Sequence, residues 1–233
     1  ASGHIVTYAL KYSKAMVTVE NYRPYPFGTA FKLVITNELP MLDGSLYPPS
    51  SFDVRLPIPG KIGVYTALAA IISALIMGLN RDDIVKSLKS FPAVKRRLEL
   101  LYSGDFTIID DAAPNPSALN GLFESLTPLS FQRIFIVLGL DKEGGPIIEK
   151  MASELLKQKS KQPIAEVLLT SGAEYLPKEE QAHRQVEQAF IREWQKEGKE
   201  QVSVFKDLTP ALEEVLLSLK KGDLLLLLGG KPL

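Results

Sequence analysis

The chain has 233 residues, of which 45% are hydrophobic and 23% are charged, a composition typical of a globular protein with a sizeable core. Basic and acidic residues each number 27, so the formal net charge is zero and no overall basic field favours nucleic acid or anionic lipid. The chain has no cysteine, which excludes disulfides, thiol nucleophiles and thiolate metal sites and fits a reducing cytoplasm.

The first part of the chain has the pattern of an antiparallel meander followed by helices. Four short segments rich in β-branched and aromatic residues are predicted as strands: 5–10, 16–21, 30–36 and 52–58. The proline-rich loop 38–51 is expected to be a stiff surface excursion between two of them. Helices are predicted over 60–77 and 81–90, with Gly78 ending the first and Asn80 capping the second.

From residue 98 onward, strands and helices alternate. Strands are expected at 98–102, 106–110, 133–138, 165–170, 202–205 and 223–228, with helices at 117–126, 147–159, 177–197 and 209–219. Several of these strands are apolar throughout, as in strands covered on both faces. We therefore predict an α/β fold in which residues 97–233 form a doubly wound, mostly parallel sheet and residues 1–96 form a separate domain.

One turn in the second part is the best candidate for a working site. The run Ile-Ile-Asp-Asp-Ala-Ala-Pro-Asn-Pro-Ser-Ala-Leu, from Ile108 to Leu119, leaves an apolar strand, passes through Asp110 and Asp111 and enters a helix. Open α/β sheets bind ligands at such strand ends, because backbone N–H groups and the helix dipole converge there. The alternative is that either aspartate is only a turn or capping residue.

Four segments together resemble the Mur ligase family, nearest its tripeptide-forming members. The run Asp111-Ala-Ala-Pro-Asn-Pro-Ser-Ala-Leu119 is similar to the family's Asp-Tyr-Ala-His-Thr-Pro-Asp-Ala-Leu pattern, and also to motifs of folylpolyglutamate synthase and cyanophycin synthetase. Residues 60–71 with 91–99, Leu138-Gly-Leu-Asp-Lys-Glu143 and Gly230-Lys231 resemble further family motifs in the same order. The resemblance implies the C-terminal part of a central, ATP-binding domain over 1–96 and a Rossmann-like C-terminal domain over 97–233.

The resemblance also implies a function. Such ligases form an amide from a carboxylate and an amine, by way of an acyl phosphate made with ATP and Mg²⁺, in peptidoglycan precursor synthesis in the cytoplasm. The implied partners are a nucleotide-linked or other carboxylate substrate, an amino acid and the N-terminal domains of the same protein, with no nucleic acid and no membrane.

Particular residues take on roles by the same resemblance. It implies Asp111 and Lys142 for catalysis, Asp141 and Lys231 for substrate binding, and Arg97, Gly63, Thr66 and Asn115 for binding the nucleotide, with no metal ligand. A guanidinium fork at Arg97 suits ATP phosphates. The alternative for Arg97, Lys142 and Lys231 is that they are ordinary surface charges.

The chain departs from the family pattern at three places. Gly63 and Thr66 stand where the family usually has asparagines, one of them on the adenine, and Pro114 stands in place of its histidine. Residues 172–175, Gly-Ala-Glu-Tyr, replace the Asp-Asn-Pro-Arg of diaminopimelate-adding members, so diaminopimelate is not predicted as the amine. A second hypothesis is therefore a degenerate homologue that serves as a non-catalytic binding or regulatory partner.

The P-loop of these ligases, which ends in Gly-Lys-Thr or Gly-Lys-Ser, does not occur in the sequence. The chain resembles the second half of a longer protein.

We expect that these 233 residues alone do not hydrolyse ATP, because no glycine-rich loop with its lysine cradles the phosphates. Release of inorganic phosphate from ATP above the buffer rate, measured with the purified chain, would contradict this prediction.

Overall fold

The computed structural model describes residues 4–11, 14–25, 27–92, 94–113, 115–140, 145–170, 180–197 and 202–229. The chain divides into two compact units, Ala1–Ala93 and Val94–Leu233. The predicted boundary between residues 96 and 97 lies close to this division, and the assignment of each unit to a particular ligase domain stays a prediction. Among the described residues, no helix is both long and apolar enough to cross a membrane.

The first unit contains an antiparallel sheet in the order β1-β2-β5, a short ribbon of β3 with β4, and two helices. The elements are β1 Val17–Tyr25, β2 Gly28–Ile35, β3 Leu39–Pro40, β4 Leu46–Tyr47, β5 Ser50–Leu56, α1 Gly60–Ile76 and α2 Arg81–Lys89. Along β2, buried and partly buried residues alternate, as expected for a strand with one face on the core. The core consists mainly of apolar side chains from β1, β2, β5 and α1: Val17, Phe31, Leu33, Ile35, Val54, Leu56, Val64, Leu68, Ile71 and Leu75.

Both predicted helix signals in this unit are confirmed. Gly78 has a φ of +84° and its N–H donates to the carbonyl of Leu75 at 2.9 Å, which ends α1 in the left-handed conformation that glycine tolerates. The Asn80 side chain accepts hydrogen bonds from the N–H groups of Asp82 and Asp83 and so caps α2.

Two predictions for this unit need correction. The predicted strand over residues 5–10 is wrong: within residues 4–11 the chain makes only an isolated parallel bridge, from Tyr8 to Val17, and Ile5 is 83% exposed. Strand propensity was present, but a continuous partner ladder was not. The segment 38–51, predicted as a loop, contains the short β3–β4 ribbon. In the turn of this ribbon, Gly44 has a φ of +83° and the Ser45 N–H donates to the Asp43 carboxylate.

The second unit is built on a six-stranded sheet in the order β10-β9-β8-β11-β7-β6, in which only the pairing of β6 with β7 is antiparallel. Its strands are β6 Glu99–Ser103, β7 Thr107–Asp111, β8 Ile134–Gly139, β9 Ile164–Thr170, β10 Ser203–Phe205 and β11 Leu224–Gly229. Its helices are α3 Pro116–Leu126, α4 Gly145–Lys159, α5 Glu180–Glu197 and α6 Leu208–Ser218. The predicted mostly parallel α/β fold is confirmed.

Helices cover both faces of this sheet. Ala211 and Val215 of α6 pack against alternate residues of three strands, among them Phe135, Leu168 and Leu225. The intervening residues of those strands face the other way, as the two-residue period of a strand requires, and α3, α4 and α5 contact one another in turn. The apolar runs predicted for β8 and β11 are explained by this double coverage.

The amino end of β11 is held by an arginine–carboxylate pair. Asp223 is 1% exposed, and its carboxylate lies 2.6 Å from the Nη2 of Arg133 and accepts the Lys220 N–H at 2.7 Å. Burial acts to raise the pKa of Asp223, but the hydrogen bond from Arg133, the Lys220 N–H and the charges of Arg133 and Lys220 outweigh it and lower the pKa.

Replacing Asp223 by asparagine is expected to lower the free energy of unfolding by about 2 kcal/mol, because the amide group cannot accept the whole Arg133 fork in a buried position. The folded pKa of Asp223 is depressed, so its stabilisation is present above its ordinary value of 3.8 and is lost as the pH falls through the folded pKa. Urea denaturation at several pH values measures both effects.

The matched control for this prediction is Asp105→Asn, because the Asp105 side chain is exposed in the same unit. We expect that variant to unfold at the urea concentration of the wild type. Equal midpoints for Asp223→Asn and Asp105→Asn at neutral pH would show that the buried pair contributes nothing.

Candidate functional site

The candidate site lies at the edge of the second sheet where the parallel strands end. Strand pairing places Leu228 of β11 opposite both Asp111 of β7 and Leu138 of β8, and it places Gly139 opposite both Gly229 and Thr170. The ends of β7, β11, β8 and β9 therefore line one edge, as predicted from the sequence. Ligands of open α/β sheets bind at such an edge.

Among the described residues, Asp111 is the most enclosed charged side chain at this edge. It is 8% exposed, and its two carboxylate oxygens accept hydrogen bonds from the N–H groups of Leu98 and Ala113, each at 2.8 Å. Burial raises its pKa, against the opposing effect of these two hydrogen bonds and of the Arg97 and Arg96 charges. Both carboxylate oxygens of Asp111 therefore bind backbone N–H groups. This is the turn-forming role that the sequence analysis named as the alternative to a catalytic role.

Asp110, the preceding residue, pairs with Arg96. The Nε of Arg96 lies 3.3 Å from the Asp110 carboxylate, and both side chains are 19% exposed. Burial raises the pKa of Asp110, and the neighbouring carboxylates of Glu99 and Asp111 add to this, while the charge and hydrogen bond of Arg96 oppose it. Residue type and charge alone did not distinguish Arg96 from its neighbours Lys95 and Arg97.

Arg97 is exposed, beside this enclosed cluster. Its N–H donates to the carbonyl of Val94 at 3.1 Å, and its charge acts on the Asp111 carboxylate. An exposed guanidinium at the edge of a sheet is suited to an anionic ligand such as a phosphate. The predicted nucleotide-binding role of Arg97 is compatible with this position and stays a prediction.

The backbone around the carboxylates adopts uncommon conformations. Arg96, Leu98 and Ala113 have φ values of +57°, +49° and +29°, in the region that residues with a side chain rarely occupy. Leu98 and Ala113 are the two residues whose N–H groups bind Asp111. Backbone strain of this kind persists only where surrounding contacts over-determine it, and it clusters at functional sites.

Gly229 lets the ends of β8 and β11 approach closely. It has a φ of +63°, and a Cβ atom at this position would lie 2.7 Å from the carbonyl oxygen of Gly139. Its own carbonyl accepts a hydrogen bond from the Nη2 of Arg96. Only glycine fits this geometry without a shift of the backbone.

Asn115 begins the helix that follows the acidic turn. Its side-chain oxygen accepts the Ala118 N–H at 2.9 Å, and Pro116 occupies the first helical position, the usual arrangement at a helix N-terminus. The structure thus gives Asn115 a capping function, and its predicted contact with the nucleotide stays a prediction.

Gly63 and Thr66 lie in the first unit, on α1. Gly63 is buried, and a Cβ there would lie 2.7 Å from the Cγ2 of Ile58, so a larger residue would require Ile58 to move. Thr66 is exposed, and its hydroxyl donates to the carbonyl of Ile62 at 3.1 Å. Glycine at position 63 therefore has a packing reason of its own, independent of any nucleotide.

The remaining predicted site residues, Asp141, Lys142 and Lys231, lie outside the described residues, as does Pro114. Within the described ranges, no group of three or more His, Cys, Asp or Glu side chains gathers closely enough to hold a metal ion. Asp110 is paired with Arg96, and each oxygen of Asp111 accepts one backbone N–H group.

Known proteins resemble this chain in sequence and in fold. Residues 96–230 match a family model described as "Mur ligase, glutamate ligase domain". Over 156 residues the chain is 28% identical to the UDP-N-acetylmuramoyl-L-alanyl-D-glutamate--2,6-diaminopimelate ligase of Listeria monocytogenes. The aligned segment covers 65% of this chain and 29% of that enzyme. The chain thus spans less than a third of the length of this relative.

Solved structures agree with the fold. MurF from Acinetobacter baumannii matches with a TM-score of 0.66 and 19% identity, over 97% of this chain and 43% of that one. The MurF ligase from Thermotoga maritima, solved in complex with ADP, matches with a TM-score of 0.60 and 15% identity, over 94% and 44%. At these identities the likeness establishes the fold alone.

Replacing Asp111 by alanine is expected to lower the free energy of unfolding by about 3 kcal/mol, because the N–H groups of Leu98 and Ala113 lose their acceptors in a poorly hydrated position. Asp111→Asn, which retains one acceptor oxygen, should lose less. Chemical denaturation followed by circular dichroism measures the order. If both variants have the same free energy of unfolding as the exposed-site variant Asp105→Ala, the two hydrogen bonds to Asp111 do not stabilise the fold.

Proposed function

The chain belongs to the Mur ligase family, and from this membership we propose that it forms part of an ATP-dependent ligase that joins a carboxylic acid to an amino acid. The observation that carries the proposal is the family match over residues 96–230, which spans the edge with Arg97, Asp110 and Asp111. The relative in Listeria monocytogenes is named for a muramoyl-peptide substrate, so we assign the reaction to peptidoglycan precursor synthesis.

The proposed reaction has two steps. The substrate carboxylate takes the terminal phosphoryl group of ATP, which gives an acyl phosphate and ADP. The amine of the amino acid then attacks the acyl carbon, a proton leaves the nitrogen, and inorganic phosphate departs as the amide forms. Such chemistry depends on positioning and on neutralising phosphate charge, for which cationic side chains are suited.

The described residues support separate tasks in this reaction. Arg97, exposed at the sheet edge, would bind phosphate oxygens, and Asn115 would present the start of α3 to the nucleotide. Asp111 would act by holding the turn on both sides of the edge, because both of its oxygens are engaged by the backbone. Asp141, Lys142 and Lys231 keep their proposed roles at the substrate and the acyl phosphate, with Mg²⁺ accompanying ATP.

One observation favours a second candidate, a homologue that retains the fold as a binding or regulatory partner without catalysis. Thr66 is exposed, and its hydroxyl donates to the carbonyl of Ile62. This position does not offer the amide group with which an asparagine would read adenine. In this alternative the acidic edge, which is the end of the sheet that carries Asp110 and Asp111, would be retained because it stabilises the fold.

The deciding experiment is a ligase assay on the full natural protein. It would be given ATP, Mg²⁺, UDP-N-acetylmuramoyl-dipeptide and a panel of amino acids, and both ADP and the mass of any amide product would be measured.

Arg97→Gln is expected to lower kcat/KM by about 10- to 100-fold, because an exposed phosphate contact is removed. The neighbouring exposed residue supplies the control, Lys95→Gln, which should retain wild-type activity.

A calorimetric titration of the same protein with a non-hydrolysable ATP analogue separates the two candidates. Binding together with amide formation supports the ligase. An absence of binding at millimolar analogue, with no product from any amino acid, would remove the ligase and favour the non-catalytic partner.

A further inference from the structure

Two consecutive arginines at the candidate site have opposite environments. The side chain of Arg96 is 19% exposed and lies between strand ends, whereas Arg97 is exposed. Of these two arginines, the resemblance to the ligase family implied a role only for Arg97. The contacts of Arg96 are the more extensive of the two in the described structure, and they indicate a role of a different kind.

The side chain of Arg96 joins two strands that are far apart in the sequence. Its Nε lies 3.3 Å from a carboxylate oxygen of Asp110, at the end of β7, and its Nη2 donates to the carbonyl of Gly229, at the end of β11. A planar guanidinium has donors in a fixed fork, so one residue can hold both acceptors at a set separation. A lysine, with a single ammonium on a flexible stem, cannot reproduce this geometry.

The main chain of Arg96 is held as firmly as its side chain. Its N–H donates to the Glu99 carboxylate at 2.8 Å, and its carbonyl accepts the N–H of Ala112, just after β7, at 3.0 Å. With its φ of +57°, the residue reverses the chain direction immediately before Arg97. The turn that carries Arg97 is thus fastened to the acidic edge through Arg96.

We propose that Arg96 is a positioning residue: it ties the ends of β7 and β11 together and fixes the turn that presents Arg97 to an anionic ligand. The task of Arg97 in this statement rests on the proposed ligase function, whereas the tie between the strand ends does not. Phosphate groups of a nucleotide are the ligand class that an exposed guanidinium beside strand ends would bind.

The electrostatics of the cluster give the tie a measurable signature. Asp110 faces Arg96, Glu99 and Asp111, and Asp111 faces both arginines. Arg96 therefore acts on both aspartates, whereas Arg97 acts on Asp111. Loss of the Arg96 charge should raise the pKa of both carboxyls, because burial then acts with less opposition.

The test compares Arg96→Gly, Arg96→Lys and Asp110→Asn with the matched variant Arg97→Gln, in the 233-residue chain. Glycine accepts the positive φ at position 96, so Arg96→Gly removes the side chain without adding backbone strain. Carbon-13 NMR of the side-chain carboxyls gives the titration midpoints of Asp110 and Asp111, with Asp223 as an internal reference. Hydrogen exchange of the Ala112 and Leu98 N–H groups reports on the turn.

Arg96→Gly is expected to raise the proton affinity of Asp110 by about tenfold and to speed exchange of the Ala112 and Leu98 N–H groups by about tenfold. Arg96→Lys should restore part of the proton affinity but not the slow exchange. Asp110→Asn, which keeps the local volume, should also speed exchange. Arg97→Gln should leave the Asp110 midpoint and the exchange of both N–H groups as in the wild type, and the titration midpoint of Asp223 should equal that of the wild type in every variant.

The proposal is overturned if Arg96→Gly and Arg97→Gln give the same Asp110 midpoint and the same exchange rates. The proposal is also overturned by one pattern of ATP-analogue binding in the full natural protein. In that pattern the Arg96→Gly variant binds with wild-type affinity, whereas the Arg97→Gln variant binds more weakly. Should no form of that protein bind the analogue, the proposed ligase function fails, and the carboxyl titrations and exchange rates still decide whether Arg96 ties the strand ends.

Discussion

The insertion of β11 between β7 and β8 is the constraint on which the second unit depends. β11 is almost entirely apolar, and it pairs with β8 along its whole length and with β7 over Leu224–Leu228, so the sheet has no continuous core without it. Each end of the strand is then held by an arginine: Arg133 binds Asp223 at the start, and Arg96 binds the Gly229 carbonyl at the finish. The last strand of the unit is thereby fixed to residues that precede it by more than eighty positions.

The two ends of β11 differ in the direction in which the pKa of the neighbouring carboxyls is shifted. At the start, Arg133 and the Lys220 N–H lower the pKa of the buried Asp223, so the charge there stabilises the fold. At the finish, burial raises the pKa of Asp110 and Asp111 in spite of two neighbouring arginines. Raised carboxyl pKa values beside uncommon backbone conformations occur both at functional sites and in structural clusters, so the proposed role of this end rests on the family match.

The elements of the fold were largely predictable, because apolar periodicity and turn chemistry are local. The β8 and β11 runs, the Gly78 end of α1 and the Asn80 cap of α2 were all evident in the sequence. The position of β11 in the sheet was not, since pairing between distant strands leaves no local mark. The segment 5–10 failed for the same reason: its propensity was favourable, but its partners are set by the tertiary structure.

The site was predictable as a place and less so as an arrangement. The strand-end turn with Asp110 and Asp111 was located from sequence, yet adjacent arginines that look alike in sequence differ in burial and in partners. Gly63 in the first unit shows the same limit of sequence reasoning, because a position that the resemblance relates to the nucleotide is packed against Ile58. A glycine there is explained by the packing of Ile58 alone, so its presence is no measure of lost activity.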